Sequence, residues 1–157
     1  MIPFQTINNT LVPAIGWAET STTTNLTPGA IPLDDTIPQN TEGTEILSGS
    51  ITLKSASSKV MAKFTLCGVP SVAVAFLILA AFRGANANAI AASITRESAE
   101  FHTYDLAFID SPATQGSVTY SIRLGMSSGD FTVNGSGGLR FLGGTLKTTL
   151  QLIEILP

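Results

Sequence analysis

From about residue 44 to the C-terminus, apolar and polar side chains alternate in short runs that are separated by turn residues. Leu47, Ile51 and Leu53, for example, alternate with Ser and Thr before the turn-forming segment 54–58. Strict alternation places apolar side chains on one face of a β-strand, and Gly, Ser and Asn favour the turns between strands. The pattern predicts about eight strands, near residues 47–53, 60–66, 72–82, 87–95, 104–108, 118–124, 131–133 and 146–152.

The run from Val72 to Phe82 differs from the others because it is apolar at every position. A strand of this composition is expected to be covered on both faces. A helix over residues 72–94 is the alternative, since Ala and Leu favour helices, but Gly84 and the Asn residues after it favour a turn. The run is also shorter than the roughly 20 apolar residues that a membrane span needs, so we predict no membrane partner.

Eight short strands at close spacing predict an all-β, eight-stranded jelly-roll sandwich with an extended N-terminal arm. The arm is assigned to residues 1–40, which hold five of the eight prolines and no Lys or Arg, and the jelly-roll domain to residues 41–157. Proline disfavours helix interiors and central strands, so the arm should be irregular. A tail folded over its own domain is the alternative. Apolar residues expected to contact a partner or a neighbouring subunit are Phe4, Ile7, Leu11, Trp17, Leu26 and Ile31.

The charge and the cysteine content of the chain exclude several classes of function. Charged residues make up 12% of the chain, about half the usual share, and the net charge is −3. No basic cluster exists, so we predict no nucleic-acid partner. The single Cys67 excludes an intrachain disulfide, and one Cys with one His is too few for a zinc site. The N-terminus lacks the pattern of a secretory signal, so we expect the protein to stay where it is made.

Candidate catalytic groups are few, and we predict no enzymatic activity and no cofactor. His102 with Asp105 is the nearest approach to a hydrolase triad, but no Gly-x-Ser-x-Gly elbow occurs in a strand-to-helix setting. Glu97 and Glu100 are the candidate carboxylate pair for glycoside hydrolysis, but two acids three residues apart are common on a surface loop, and we favour that interpretation. The acidic residues between 34 and 45 match no EF-hand spacing, which favours a solvated acidic segment over a calcium site.

Several short segments carry a resemblance to a known family. They are DTIPQNTEGTEIL (35–47) leading into ITLKSASSK (51–59), then SVTYSIRLG (117–125), FTVNG (131–135), LRFLGG (139–144) and TTLQLIEI (148–155). Over roughly residues 34–156 the chain resembles the jelly-roll domains of tailed-phage virion proteins, which occur in capsid decoration (cement) proteins and at the ends of tail fibres. The resemblance implies a trimer of tumour-necrosis-factor-like sandwiches without enzymatic activity. The first 33 residues lie outside it.

A homotrimer is also expected on physical grounds. A small sandwich has one internal core, and this chain has few charges with which to cover its remaining apolar strand surface. Sharing that surface between subunits removes it from water, because obligate interfaces resemble a core cut in half. The trimer interface candidates are Phe76, Ile78, Tyr104, Tyr120 and Leu150.

The predicted function is therefore capsid decoration. Trimers made in the host cytoplasm would sit on the capsid surface of the virion and brace the shell of major capsid protein through their arms. The alternative is a tail-fibre or receptor-binding tip, which would recognise a host surface glycan or protein through loops such as 96–102 and 110–116.

Overall fold

The computed structural model describes residues 12–157, and most of their backbone is extended. This part of the chain forms twelve strands and one short 3-10 turn at Leu142–Gly144. In chain order the strands are β1 (Ile15–Thr20), β2 (Thr24–Leu26), β3 (Thr44–Leu53), β4 (Lys59–Pro70), β5 (Ala73–Arg83), β6 (Ala91–Ser98), β7 (His102–Asp110), β8 (Gly116–Met126), β9 (Phe131–Val133), β10 (Gly135–Ser136), β11 (Leu139–Arg140) and β12 (Thr148–Ile155). All eight predicted strands are present, so the all-β prediction is confirmed and the helix over 72–94 is wrong.

Two antiparallel sheets form a sandwich. The front sheet has the order β1-β12-β4-β7, and the back sheet has the order β3-β8-β5-β6. In both sheets, strands that are distant in sequence lie side by side, which is the jelly-roll arrangement. β9 continues along the same edge of β4 beyond the end of β12, and β2 pairs with β9. β10 and β11 form a separate hairpin.

The core lies between the two sheets and consists of their inward-facing side chains. In β4, Val60, Ala62, Phe64 and Leu66 are completely buried, whereas Met61 and Lys63 between them face outward. The same alternation runs through the other long strands, whose large inward-facing residues include Leu53, Leu77, Leu79, Tyr120, Ile122, Leu124, Leu150 and Leu152. Each such side chain contributes roughly 1.5–3 kcal/mol on burial before entropic costs. The alternation in the sequence is thus an alternation between core and outer surface.

The apolar strand β5 is covered on both faces, as its composition predicts. Leu77 and Leu79 face the core between the sheets, whereas Ile78 and Phe82 face the opposite side. Ile31, only 4% exposed, packs against that second face in a small separate cluster. The cover for β5 therefore comes from the same protomer, from the segment assigned to the arm.

Residues 12–40, the described part of the predicted arm, fold onto their own protomer. β1 pairs with β12 from Ile15 opposite Ile153 to Thr20 opposite Thr148. β1 is thus the eighth long strand of the jelly roll. The sequence pattern predicts the short β9 as the eighth strand instead and does not predict β1. Residues 12–40 therefore fold over their own domain, which is the alternative to a free arm.

A buried carboxylate joins the N-terminal segment to the sandwich. Glu154 is 1% exposed, and it accepts hydrogen bonds from the backbone N–H groups of Ala14 at 3.0 Å and Lys54 at 2.7 Å and from the Ser58 hydroxyl at 2.7 Å. Burial on its own raises the pKa of Glu154, but these hydrogen bonds and one from the Ser55 backbone outweigh it and hold the pKa below 4.5. The chain entering β1, the β3–β4 turn and β12 are thereby fixed to one another.

The two sides of the sandwich are closed differently. On one side β1 lies directly against β3, and a Cβ on Gly16 would lie only 2.4 Å from the Ser50 carbonyl oxygen, so this approach requires glycine. On the other side, between β6 and β7, the Tyr104 hydroxyl donates to Oε2 of Glu97 at 2.6 Å, and both residues are 4% exposed. Glu97 thus lies inside a strand that continues to Ser98, not in the loop that the sequence pattern indicates over 96–100.

Candidate functional site: a subunit interface on the front sheet

A row of apolar side chains crosses the outer face of the front sheet. Ile15 on β1 lies opposite Ile153 on β12, Ile153 lies opposite Met61 on β4, and Met61 lies opposite Ile109 on β7. Ile15 is 74% exposed, Ile109 is 63% exposed and Met61 is 43% exposed, while Ile153 is half-buried between its neighbours. Adjacent strands are about 4.8 Å apart, so the row extends about 14 Å across the sheet. We call these four residues the outer row.

The outer row is flanked on both sides by further apolar side chains and by long polar ones. Ile155 lies opposite Lys59 toward one end of the strands, and Trp17 lies opposite Gln151, which lies opposite Lys63, toward the other. Trp17 is 52% exposed and Ile155 is 38% exposed. Scattered apolar side chains are normal on a surface, but a contiguous patch bordered by polar groups is typical of a protein–protein contact.

Trp17 is held in place on this face by its neighbour two residues along β1. Its indole N–H donates to Oε2 of Glu19 at 3.0 Å, and Glu19 also forms an ion pair with Lys147. The hydrogen bond from Lys147 and, next, that from Trp17 lower the pKa of Glu19, so this carboxylate is ionised near neutral pH. A preordered aromatic side chain loses little entropy when a partner covers it.

The structure corrects the predicted trimer interface. Tyr104, Tyr120 and Leu150 are 4%, 0% and 0% exposed inside the protomer's own core, so they offer no surface to another subunit. Ile78 is covered by Ile31, and Phe76 is half-buried beside a register irregularity in β5. Tyr104, Tyr120 and Leu150 occupy the inward phase of their strands, whereas Ile78 lies on the outer face of β5 and is covered there by the N-terminal segment.

A signal for the outer row is present in the sequence at the opposite phase of the same strands. Met61 stands between two core residues of β4, and Ile153 and Ile155 stand on either side of Glu154. An apolar residue at the outward phase is the informative departure from alternation. At the C-terminal end of β12 the pattern is reversed, because the buried Glu154 carries a carboxylate and the outward-facing Ile153 and Ile155 are apolar.

The six predicted arm residues have different positions. Trp17 lies on the outer face beside the outer row, Leu26 packs partly against the core, and Ile31 covers β5. Phe4, Ile7 and Leu11 lie outside the described residues, so their contacts remain predictions.

The candidate catalytic residues do not come together in one site. His102 and Asp105 are three residues apart on β7 and so point to opposite faces: His102 Nε2 lies 3.1 Å from the Ser98 hydroxyl, and Asp105 accepts from the Thr65 hydroxyl at 2.6 Å. Glu97 is buried, whereas Glu100 is exposed in the turn.

Two of the acidic residues between 34 and 45 accept local hydrogen bonds. Asp34 accepts from the Thr36 backbone and hydroxyl, and these hydrogen bonds lower its pKa, while Glu42 accepts from the Gln39 N–H at 2.8 Å. Among residues 12–157, no three His, Cys, Asp or Glu side chains come together as a metal site would require. That same part of the chain contains no helix of the length and hydropathy needed to cross a bilayer.

Two solved structures show some similarity to this one. A TNF protein, Eiger, from S. frugiperda has 10% sequence identity over 92% of each chain, with a TM-score of 0.49. The enzymatically active domain of tailspike protein 4 from bacteriophage CBA120 has 13% identity over 80% of this chain and 19% of that chain, with a TM-score of 0.29. No protein-family model matches the chain, and no curated protein sequence does. At these values neither structure identifies a function or a partner for this chain.

Proposed function

We propose that this protein is a homotrimeric virion structural protein that decorates a capsid. The observation that supports assembly is the outer row, a contiguous apolar surface that stays exposed although the core of the sandwich is closed. The protomer covers both faces of β5 and closes both sides of its core but leaves this row exposed, so the row is available to another molecule. The number of subunits and the capsid setting come from the resemblance to phage jelly-roll proteins.

The proposed trimer buries the outer row against a neighbouring subunit. Most interface energy comes from a few buried apolar or aromatic side chains surrounded by a polar rim, and the outer row with Trp17, bordered by Lys59 and Lys63, has this organisation. Attachment to the major capsid protein is assigned to residues 1–11, which include Phe4 and Ile7. Three weak attachments on one trimer reinforce one another, since the second and third are effectively intramolecular.

The chain's copy number in purified virions tests the capsid assignment. Quantitative gel analysis should show hundreds of copies per particle for a shell protein. A count of a few dozen or fewer would place the protein at the tail and overturn capsid decoration.

Full-length Phe4→Asp/Ile7→Asp protein tests the attachment. We expect it to remain trimeric, because Ala14 and β1 hold the sandwich together independently of these residues, and to lose binding to undecorated capsids. The matched control is Leu33→Asp, a substitution of another exposed apolar residue, which should bind capsids normally. Undiminished capsid binding by the double variant would contradict the role given to the N-terminus.

The second candidate function is a receptor-binding tip. It is favoured by one observation, the pair of exposed aromatic side chains Phe101 and Phe141, which stack at 5.9 Å between the β6–β7 turn and the segment after β11. A tip protein would bind host cells directly, and the N-terminal variants would leave that binding unchanged.

A further inference from the structure

A polar cavity of about 460 Å³ opens at the end of the sandwich where β2, β9 and the end of β4 meet. Its walls come from strands β2, β4, β9 and β10 and from the connections β4–β5, β6–β7, β8–β9 and β10–β11. The polar lining consists of Asn25, Ser71, Asp130, Thr132 and Ser136. Cavities of this size are typical of small-molecule sites in which a few fixed polar groups determine orientation.

The polar groups of this end cavity are held in place by one another. Asp130 accepts from the Thr27 hydroxyl at 2.7 Å, and its backbone exchanges hydrogen bonds with Ser71, whose hydroxyl accepts the Asp130 N–H at 2.8 Å. Thr132, only 3% exposed, donates its hydroxyl to Oδ1 of Asn25 at 2.9 Å. Within residues 12–157, this leaves Oδ2 of Asp130 and the side-chain NH₂ of Asn25 without hydrogen-bond partners.

The lining determines what class of ligand the end cavity accepts. Among residues 12–157, those that line it include no Lys, Arg or His, and its carboxylate repels anions. A calcium ion takes six to eight oxygen ligands and usually several carboxylates, whereas Asp130 is the one acidic residue among these lining residues. A carboxylate acceptor beside an amide donor matches neighbouring hydroxyl groups, each of which donates one hydrogen bond and accepts another.

The neighbouring aromatic pair supplies the apolar part of such a site. Phe101 is 39% exposed and Phe141 is 40% exposed. In the sequence, Phe101 lies two residues after Ala99, and Phe141 lies four residues after Gly137. Ala99 and Gly137 both line the end cavity. A sugar ring has hydroxyl groups at its edge and C–H groups on its faces, so it suits a polar cavity that adjoins exposed aromatic rings.

We propose that the end cavity is a binding site for neutral saccharides, in which Asp130 and Asn25 hold adjacent hydroxyl groups and the Phe101–Phe141 pair contacts the face of an adjoining ring. The site lies at the end of the sandwich, away from the outer row, and it requires neither the trimer nor the capsid. It gives the protein an affinity for carbohydrate surfaces in addition to the proposed structural role.

Saturation-transfer NMR on the full-length protein tests this site. The probes are methyl glycosides of glucose, galactose, mannose and N-acetylglucosamine and their homodisaccharides, measured with EDTA present. We expect saturable binding of at least one probe, with a dissociation constant in the millimolar range or tighter. Absence of binding by every probe overturns the proposal, as does binding that appears only when calcium chloride replaces EDTA.

Two substitutions assign the binding to the end cavity. Asp130→Asn keeps an acceptor for Thr27 but replaces the second oxygen by a donor, and Asn25→Asp makes the reverse change; each should weaken binding at least tenfold. Asp105→Asn is the matched control, because Asp105 is also a surface carboxylate that accepts from a threonine hydroxyl. Equal binding by Asp130→Asn, Asn25→Asp and wild type would overturn the assignment. Trimer formation measured on the same samples reports on the outer row separately.

Discussion

Replacing Ile109 with lysine tests whether the outer row is a subunit interface. Ile109 is at the β7 end of the row, is 63% exposed and faces away from the core. The substitution therefore leaves the packing of the protomer intact. Its effect should appear in assembly and not in folding.

The expected magnitude follows from the exposed area of this side chain. Full burial of an isoleucine contributes roughly 1.5–3 kcal/mol, so burying the exposed part of Ile109 contributes about 1–2 kcal/mol at each contact. A lysine at this position also places an ammonium group against Met61 inside the interface, which brings the loss to about 2–3 kcal/mol. A cyclic trimer has three equivalent contacts, so the variant loses about 6–9 kcal/mol, or roughly four to six powers of ten in the dissociation equilibrium.

Sedimentation velocity at micromolar concentration measures the outcome. We expect a trimer for the wild type and a folded monomer for Ile109→Lys, with unchanged far-ultraviolet circular dichroism. Ile94→Lys is the matched control, since Ile94 is 50% exposed on β6, the corresponding edge strand of the back sheet, and this variant should remain trimeric. A trimeric Ile109→Lys variant of wild-type stability would refute the interface, and a monomeric wild type would refute the trimer itself.

Three further predictions concern the stability of the protomer. Glu154→Gln should lower the free energy of unfolding by about 2 kcal/mol at pH 7. Because the folded-state pKa of Glu154 is depressed, the stabilisation is present above pH 4.5 and is lost as the pH falls through the folded pKa. Urea titrations at several pH values should therefore show a smaller acid-induced loss of stability in the variant than in the wild type. Tyr104→Phe should cost about 1–3 kcal/mol in thermal unfolding, since it leaves both oxygens of buried Glu97 unpaired, and adding Glu97→Leu should restore most of that loss. Gly16→Ala should cost about 1–3 kcal/mol and expose β1 to limited proteolysis, because the added methyl group collides with Ser50; unchanged protection would contradict this packing.

The same substitutions separate the two proposed surfaces. Variants of the outer row should abolish assembly and leave saccharide binding intact, whereas variants of Asp130 should do the opposite. Loss of both properties in either variant would indicate unfolding, which the circular dichroism measurement reports directly.

The alternation of apolar and polar residues determined the positions of most strands and the identity of the core. The two-sided apolar run 72–82 also predicted that β5 is covered on both faces. These features follow from local pattern, because a strand alternates its side chains between two faces wherever it lies in the fold. The pattern also contained the outward isoleucines of β12, although their meaning depends on which strands lie beside them.

Only the tertiary structure decided which apolar residues remain for a partner. Tyr120 and Leu150 are residue types typical of an interface, but they are buried in the protomer's own core. Ile15, Met61 and Ile109, by contrast, form one exposed surface because strands far apart in sequence pair in register. The end cavity likewise depends on five separate segments meeting at one end of the sandwich. Local sequence specifies the face to which a side chain points, and long-range pairing determines what lies on that face.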